Sequence, residues 1–296
     1  MLQEISESCN VKIDRRPIHT INNEGEQVKV PDKISLYNSE NQNYLSTMSK
    51  KSSKNLRTYE QFVTMLNEGI GDTLGEGQVE DRLWGDAMFS RIVQFPEHKF
   101  TFGVKKGNED TFNLTLWAWT SYSLKWAERF IFGAICVRCL NGMYNSKWSI
   151  KGMSKKNWTS KANLKSSDIT KAVEAFSKYP EMLEPMCRSK IDGEQVEKLF
   201  KVTLAYRKGS FDSKSFSEKD MKELASLWTK YEKRYGSNLY SAYQTATDWA
   251  THSDRKGVKK KEEKENQKNL MNTIRKRSVE VSNMLKSTAW SSHLVA

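Results

Sequence analysis

The chain has 296 residues, 37% of them hydrophobic and 28% charged, with only 15 glycines and 5 prolines, a composition that folds rather than one that stays disordered. No apolar run reaches the ~20 residues that cross a bilayer. The opening Met1-Leu2-Gln3-Glu4 lacks the basic-then-apolar order of a secretion signal, so a cytoplasmic protein without membrane attachment is expected. Four cysteines (Cys9, Cys136, Cys139, Cys187) are too few and too irregular for a disulfide framework in a chain of this length. Lysine and arginine outnumber aspartate and glutamate by 48 to 36, a net charge of +12 that favours a polyanionic partner.

In chain order, residues 1–32 read as a polar leader with little apolar periodicity. Extended pieces are expected at Ile34 to Tyr37 and at Tyr44-Leu45-Ser46-Thr47. Tyr59, Phe62, Val63 and Leu66 then fall on one helical face, with Gly69 and Gly71 as its stop and a loop from Gly71 to Gly77. Phe100-Thr-Phe-Gly-Val104 and Phe112-Asn-Leu-Thr-Leu116 alternate on either side of a turn at Gly107-Asn108, which is the pattern of a hairpin. Phe130 to Val137 is a third strand, Asn141-Gly142 a turn, and Ser146 to Met153 a fourth extended run. A three- to five-stranded, mostly antiparallel sheet is therefore expected between about Phe89 and Met153.

Beyond Ser166 the spacing becomes helical. Ile169, Val173 and Phe176 form one stripe, stopped near Pro180. Val196, Leu199, Phe200, Thr203 and Leu204 form a second. Ser217 and Asp220 have capping-box spacing ahead of Met221, Leu224, Leu227, Trp228 and Tyr231. Leu239, Tyr240, Tyr243, Thr247 and Ala250 make a fourth stripe, residues 255–268 a charged linker, and Leu270, Ile274, Val281 and Leu285 a last helix. Strands first and helices after predict an α+β fold: a leader at 1–32, an α+β core at 33–165 and a helical region at 166–296.

Catalytic signatures are sparse. Neither a phosphate-cradling Gly-x-x-x-x-Gly-Lys-Ser/Thr loop nor a dinucleotide Gly-x-Gly-x-x-Gly fingerprint is present. Residues three apart on a strand point to opposite faces, so Cys136 and Cys139 read as buried thiols rather than a metal pair. His19, His98, His252 and His293 stand singly. Asp81, Asp86, Asp248 and Asp254 have no spacing that marks them as a metal-binding set, although a site assembled from distant residues remains open. No catalytic residue, metal or cofactor is assigned.

The basic segment is more informative. Between Asn145 and Lys165 lie six lysines (Lys147, Lys151, Lys155, Lys156, Lys161, Lys165) and no acid, with Trp148 and Trp158 among them. Lysines hold phosphates through charge and counterion release, and aromatic faces stack on unpaired bases of any identity. The combination suits a single-strand platform, and Arg129 and Arg138 are candidate additions. The bland alternative is a solvated lysine face with its tryptophans turned inward. Trp117 and Trp119 share a strand face and read as core. Arg275-Lys276-Arg277 reads equally well as a phosphate contact or as helix surface.

Several short runs together resemble a phage- and plasmid-associated family, domain of unknown function 932. They are Tyr44-Leu-Ser-Thr-Met-Ser-Lys50, Tyr59-Glu-Gln-Phe62, Thr120-Ser121-Tyr122-Ser123 (with two departures from an Asn-Ser-Tyr-Asp turn), Gly133-Ala134 with Cys139-Leu-Asn-Gly-Met143, and Thr247-Asp248-Trp249-Ala-Thr-His252. The resemblance implies a mobile-element protein of a bacterial host's cytoplasm. Its strands-then-helices layout is similar to that of phage single-strand annealing proteins, an analogy of fold alone. What it implies is a non-enzymatic protein that binds single-stranded nucleic acid, DNA in preference to RNA, and anneals it in recombination or replication. No nucleotide would be hydrolysed, and subunits would join in a ring or helical filament. The rivals are a protein-interaction factor (a host-defence inhibitor or an assembly subunit) and, behind it, a metal-dependent nuclease.

Overall fold

The computed structural model describes residues 2–103, 109–123, 128–136, 142–151, 164–204, 218–252 and 276–294; of Asp72 and 142–151 it describes the backbone alone. The fold is α+β, with two antiparallel sheets in the N-terminal and central half and mostly helices after them. The first sheet has the order β1 (Ile13–Ile21), β2 (Gln27–Asn38), β3 (Tyr44–Ser49). The second runs β4 (Gln78–Leu83), β5 (Met88–Gly103), β6 (Glu109–Ser121), β7 (Arg129–Cys136), β8 (Gly142–Lys151). The chain divides into two compact units: Met1–Glu97, Thr115–Phe132 and Ser149–Lys171 form the first, His98–Leu114, Gly133–Trp148 and Ala172–Ala296 the second.

In the first unit, the segment expected to be a leader is instead a short 3-10 turn, Glu7–Cys9, followed by β1 and the start of β2. The strand escapes a search for apolar alternation because β1 is largely exposed on both faces. Its register with β2 runs from Ile13↔Asn38 to Pro17↔Ile34, shifts at Ile18, and resumes from His19↔Lys29 to Ile21↔Gln27. Helix α1 (Lys50–Lys54) starts where the Ser49 hydroxyl accepts the Ser52 N–H. Helix α2 (Tyr59–Leu74) starts at a reciprocal capping box between Thr58 and Gln61. It buries Tyr59, Phe62, Val63, Leu66, Ile70 and Leu74, each side chain contributing about 1.5–3 kcal/mol relative to exposure. The helix passes through both glycines that were expected to end it. A Cβ on Gly69 would stand 3.3 Å from the Leu164 side chain, so this glycine serves close packing, and the stop comes at Gly75, with φ +71°.

Arg91 is wholly buried in the same unit. It forks onto both oxygens of Asp81 at 2.7 Å and onto the Gln3 and Glu4 carbonyls, so β5 holds the N-terminal residues in place.

In the second unit, the ring of Phe100 lies among Phe112, Phe176 and Tyr179. Helix α3 (Ser166–Ser177) ends before Pro180, as expected. Pro180 then occupies the first turn of a further helix, α4 (Tyr179–Arg188), where its missing N–H costs nothing. Helices α5 (Gly193–Thr203), α6 (Glu218–Tyr235) and α7 (Leu239–His252) follow the three apolar stripes, and Asp192 with Gln195 caps α5 reciprocally. Ser217 and the charged stretch 255–268 lie outside the described residues. Residues 276–284 are helical (α8), and α9 (Thr288–Ser291) closes the described chain.

Asp110 on β6 is fully buried and accepts from Arg234 and from the Tyr235 hydroxyl. The Tyr179 and Tyr243 hydroxyls meet at 3.3 Å, and burial pushes Tyr179 up to about 12. These polar pairs fix α4, α6, α7 and β6 in one arrangement, because a buried polar group that loses its partner costs about 1–3 kcal/mol.

Candidate nucleic-acid interface

β8 is an edge strand of the five-stranded sheet and carries Lys147, Trp148 and Lys151. The side chains of these three, and all of Arg138, Lys155, Lys156, Trp158 and Lys161, lie outside the described residues. Lys165 is exposed directly ahead of α3. Arg129, half-buried at the start of β7, holds its guanidinium 5.6 Å above the Trp119 ring. Trp119 and Trp117 meet edge to face at 5.3 Å and are both buried, the core role expected of them. The contact with Trp119 orients the Arg129 cation by its interaction with an aromatic face.

The structure adds a basic surface that sequence reading passed over. Lys50, Lys51 and Lys54 on α1 are all exposed. Arg15 of β1, itself exposed, joins them by donating from Nε to the Ser53 hydroxyl at 3.0 Å. Lys33 pairs in register with Ser49, the residue that caps this helix. On β3, Tyr44 is exposed and packs edge to face on Tyr37, whose other partner is the Arg16 guanidinium at 4.7 Å. The short spacing Lys50-Lys51-x-x-Lys54 is the signal that marks it in the sequence, but the contribution of Arg15 from 35 residues upstream is visible only in three dimensions.

Other expected candidates find structural partners. Asp81 belongs to Arg91. One oxygen of Asp86 accepts the side-chain amides of Asn38, Asn41 and Asn43 at 2.9–3.2 Å. Asp254 lies outside the described residues. Among the described residues, no group of three or more histidines, cysteines and carboxylates is arranged to hold a metal. Arg277 donates to Asp220 at 2.6 Å and to the Trp249 carbonyl at 2.9 Å, with its guanidinium 4.2 Å from the Trp249 ring centroid. It ties α8 to α6 and α7 in this unit, which decides in favour of a structural role for that residue. Lys276 beside it is exposed.

His252 was expected to stand singly, and no spacing marked Asp248 as part of a set, yet the two meet. His252 lies one helical turn on, with Nδ1 3.1 Å from Asp248 Oδ1, while Lys230 and the Tyr231 hydroxyl donate to Oδ2 at 2.7 and 2.6 Å. Burial pushes the Asp248 carboxyl up, but the hydrogen bonds from His252, Lys230 and Tyr231, with the Lys230 charge, outweigh it and bring the group down to about 2. The i, i+4 spacing of Asp248 and His252 on α7 was the available signal.

A cavity of about 450 Å³ lies between α5 and α6, walled by Val196, Phe200, Met221, Leu224 and Trp228. Its rim charges pair among themselves, Lys201 with Glu197 and Lys222 with Glu218. It therefore lacks the surplus positive charge that a phosphate backbone requires.

Residues from three of the runs that carry the family resemblance meet in space. Tyr122 stacks on Tyr59, centroids 3.9 Å apart, and its hydroxyl accepts the Tyr59 N–H and donates to the Val11 carbonyl. The Ser46 hydroxyl donates to the Tyr122 carbonyl at 2.6 Å. Three of the short runs thus close on one buried knot and build the α+β fold. The chain matches the family "Domain of unknown function (DUF932)" over residues 53–275, and it belongs to that family. No curated protein and no solved structure matches it.

Proposed function

We propose that this protein binds single-stranded nucleic acid, DNA in preference to RNA, and promotes annealing of complementary strands in phage- or plasmid-type recombination or replication without hydrolysing nucleotide. The observation that carries the reading is the acid-free run from Asn145 to Lys165, six lysines interleaved with Trp148 and Trp158, which begins on the edge strand β8. The exposed cations of α1 with Arg15, and the exposed ring of Tyr44, supply the same chemistry a second time. Lysine ammonium groups hold the phosphates without reading sequence. Aromatic faces support the bases at roughly 1–3 kcal/mol each. A strand held by its backbone keeps its pairing edges outward, so complementarity does the selecting. Subunits joined head to tail in a ring or filament would lengthen the platform.

Anisotropy titration of a labelled oligonucleotide tests the assignment. The K147A/K151A/K155A variant should bind at least about tenfold more weakly than wild type, since each removed lysine returns counterions to the strand. Equal binding by the two proteins would remove the lysine run from the interface. Failure of the wild-type protein to bind any single strand would end the proposal.

A further inference from the structure

Among the described residues, the distal part of the β1–β2 hairpin has no burying partner beyond its own two strands. From Pro17 to Lys33 no residue is buried, and only Ile18, Asn22 and Val30 are even half-buried. Ile21 is 72% exposed and Val28 43% exposed. The register makes Thr20 the partner of Val28 and Gln27 the partner of Ile21, so the two apolar side chains lie on opposite faces. A two-stranded ribbon open on both faces is marginally stable by itself. β1 is moreover the outer strand of its sheet, and the pairing of β3 with β2 reaches only to Lys33, so among the described residues no strand pairs with either edge of the arm, which offers backbone groups there. The irregularity at Ile18, with Pro31 and a left-handed Asp32 (φ +57°) opposite it, re-aims the arm relative to the paired base of the hairpin.

Charge selects the occupant. The arm holds Glu24, Glu26 and Asp32 against Lys29 and Lys33, and both glutamates sit at the turn, whereas the whole chain carries +12. An acidic tip is repelled by nucleic acid and attracted to a basic protein surface.

We propose that the arm from Pro17 to Lys33 docks on a second copy of this chain, with Ile21 and Val28 as apolar anchors and Glu24 and Glu26 set against the copy's basic surface. The two surfaces in such a contact differ, so copies joined head to tail propagate to a ring or filament, whereas copies that exchange arms reciprocally close as a dimer. The inference does not depend on the nucleic-acid reading and holds or fails separately from it.

Analytical ultracentrifugation of nuclease-treated full-length protein tests it. Wild type should sediment as a concentration-dependent multimer. I21T/V28T, which keeps strand-favouring side chains but removes apolar surface, should self-associate about tenfold more weakly. E24K/E26K should weaken assembly comparably. None of the four positions is buried, so both variants should keep the wild-type circular dichroism and melting temperature. A wild-type protein that stays monomeric at every concentration overturns the proposal, as do variants that assemble like wild type.

Discussion

Replacing Asp248 by Asn should remove a stabilisation whose size and pH dependence both follow from the geometry around it. The carboxyl is 9% exposed and accepts from Lys230, Tyr231 and His252. Holding it at about 2 instead of its ordinary 3.8 corresponds to about 2 kcal/mol, at roughly 1.4 kcal/mol per tenfold change in proton affinity. Lys230 is 54% exposed, so water screens part of its share. The folded carboxyl is the stronger acid, so the unfolded chain takes up the proton first as pH falls. The stabilisation is therefore complete above about pH 4, drains away between about pH 4 and pH 2, and is gone below. Urea unfolding followed by tryptophan fluorescence measures it. D248N should be about 2 kcal/mol less stable than wild type at pH 7 with an unchanged denaturant slope, and the gap should narrow as pH is lowered through that window. A gap that is absent at neutral pH, or that stays constant down to about pH 3, would refute the account of this cluster.

Arg91→Met should cost about 3–5 kcal/mol, because it strands a buried Asp81 carboxylate and frees the Gln3 and Glu4 carbonyls; denaturant unfolding gives the loss, and rapid amide exchange at the N-terminal residues locates it. Tyr122→Phe should cost about 1–3 kcal/mol, since the Tyr59 N–H and the Val11 carbonyl lose their shared partner while the ring stack survives; a melting temperature equal to wild type would mean that water replaces the hydroxyl.

Much of the architecture was legible in the sequence because its signals are periodic. The half-buried Phe100 and Phe102 of β5, and the stripes behind α3, α5, α6 and α7, each reflect one face turned to a core, whereas Phe112–Leu116 lies in a stretch of β6 buried on both faces. β1 was invisible because a ribbon wet on both faces has no apolar face to repeat. Gly69 misled for a different reason: a glycine can mark a helix end or a close approach, and only the position of Leu164 distinguishes them. α4 was missed because Pro180 read as a helix stop, although a proline in the first turn of a helix is tolerated.

The candidate site was legible only in part, because charge density is a property of the chain whereas a surface is a property of the fold. The lysine run was visible in the sequence, but the addition of Arg15 to the α1 lysines required a hairpin that sequence reading had not found. The same reasoning explains Asp248 and Arg277. Spacing gave Asp248 no partners and left Arg277 between phosphate contact and helix surface, whereas Lys230 and Tyr231 of α6 hold Asp248 beside His252 of its own helix, and Asp220 of α6 holds Arg277.

The most direct test is the salt dependence of single-strand affinity. If a lysine-lined platform holds the phosphates, the logarithm of the association constant should fall linearly with the logarithm of salt concentration, by about 0.7 per phosphate neutralised. An oligonucleotide in single-stranded form should also outcompete its own duplex. Affinity that is indifferent to salt, or a preference for the duplex, would contradict the account.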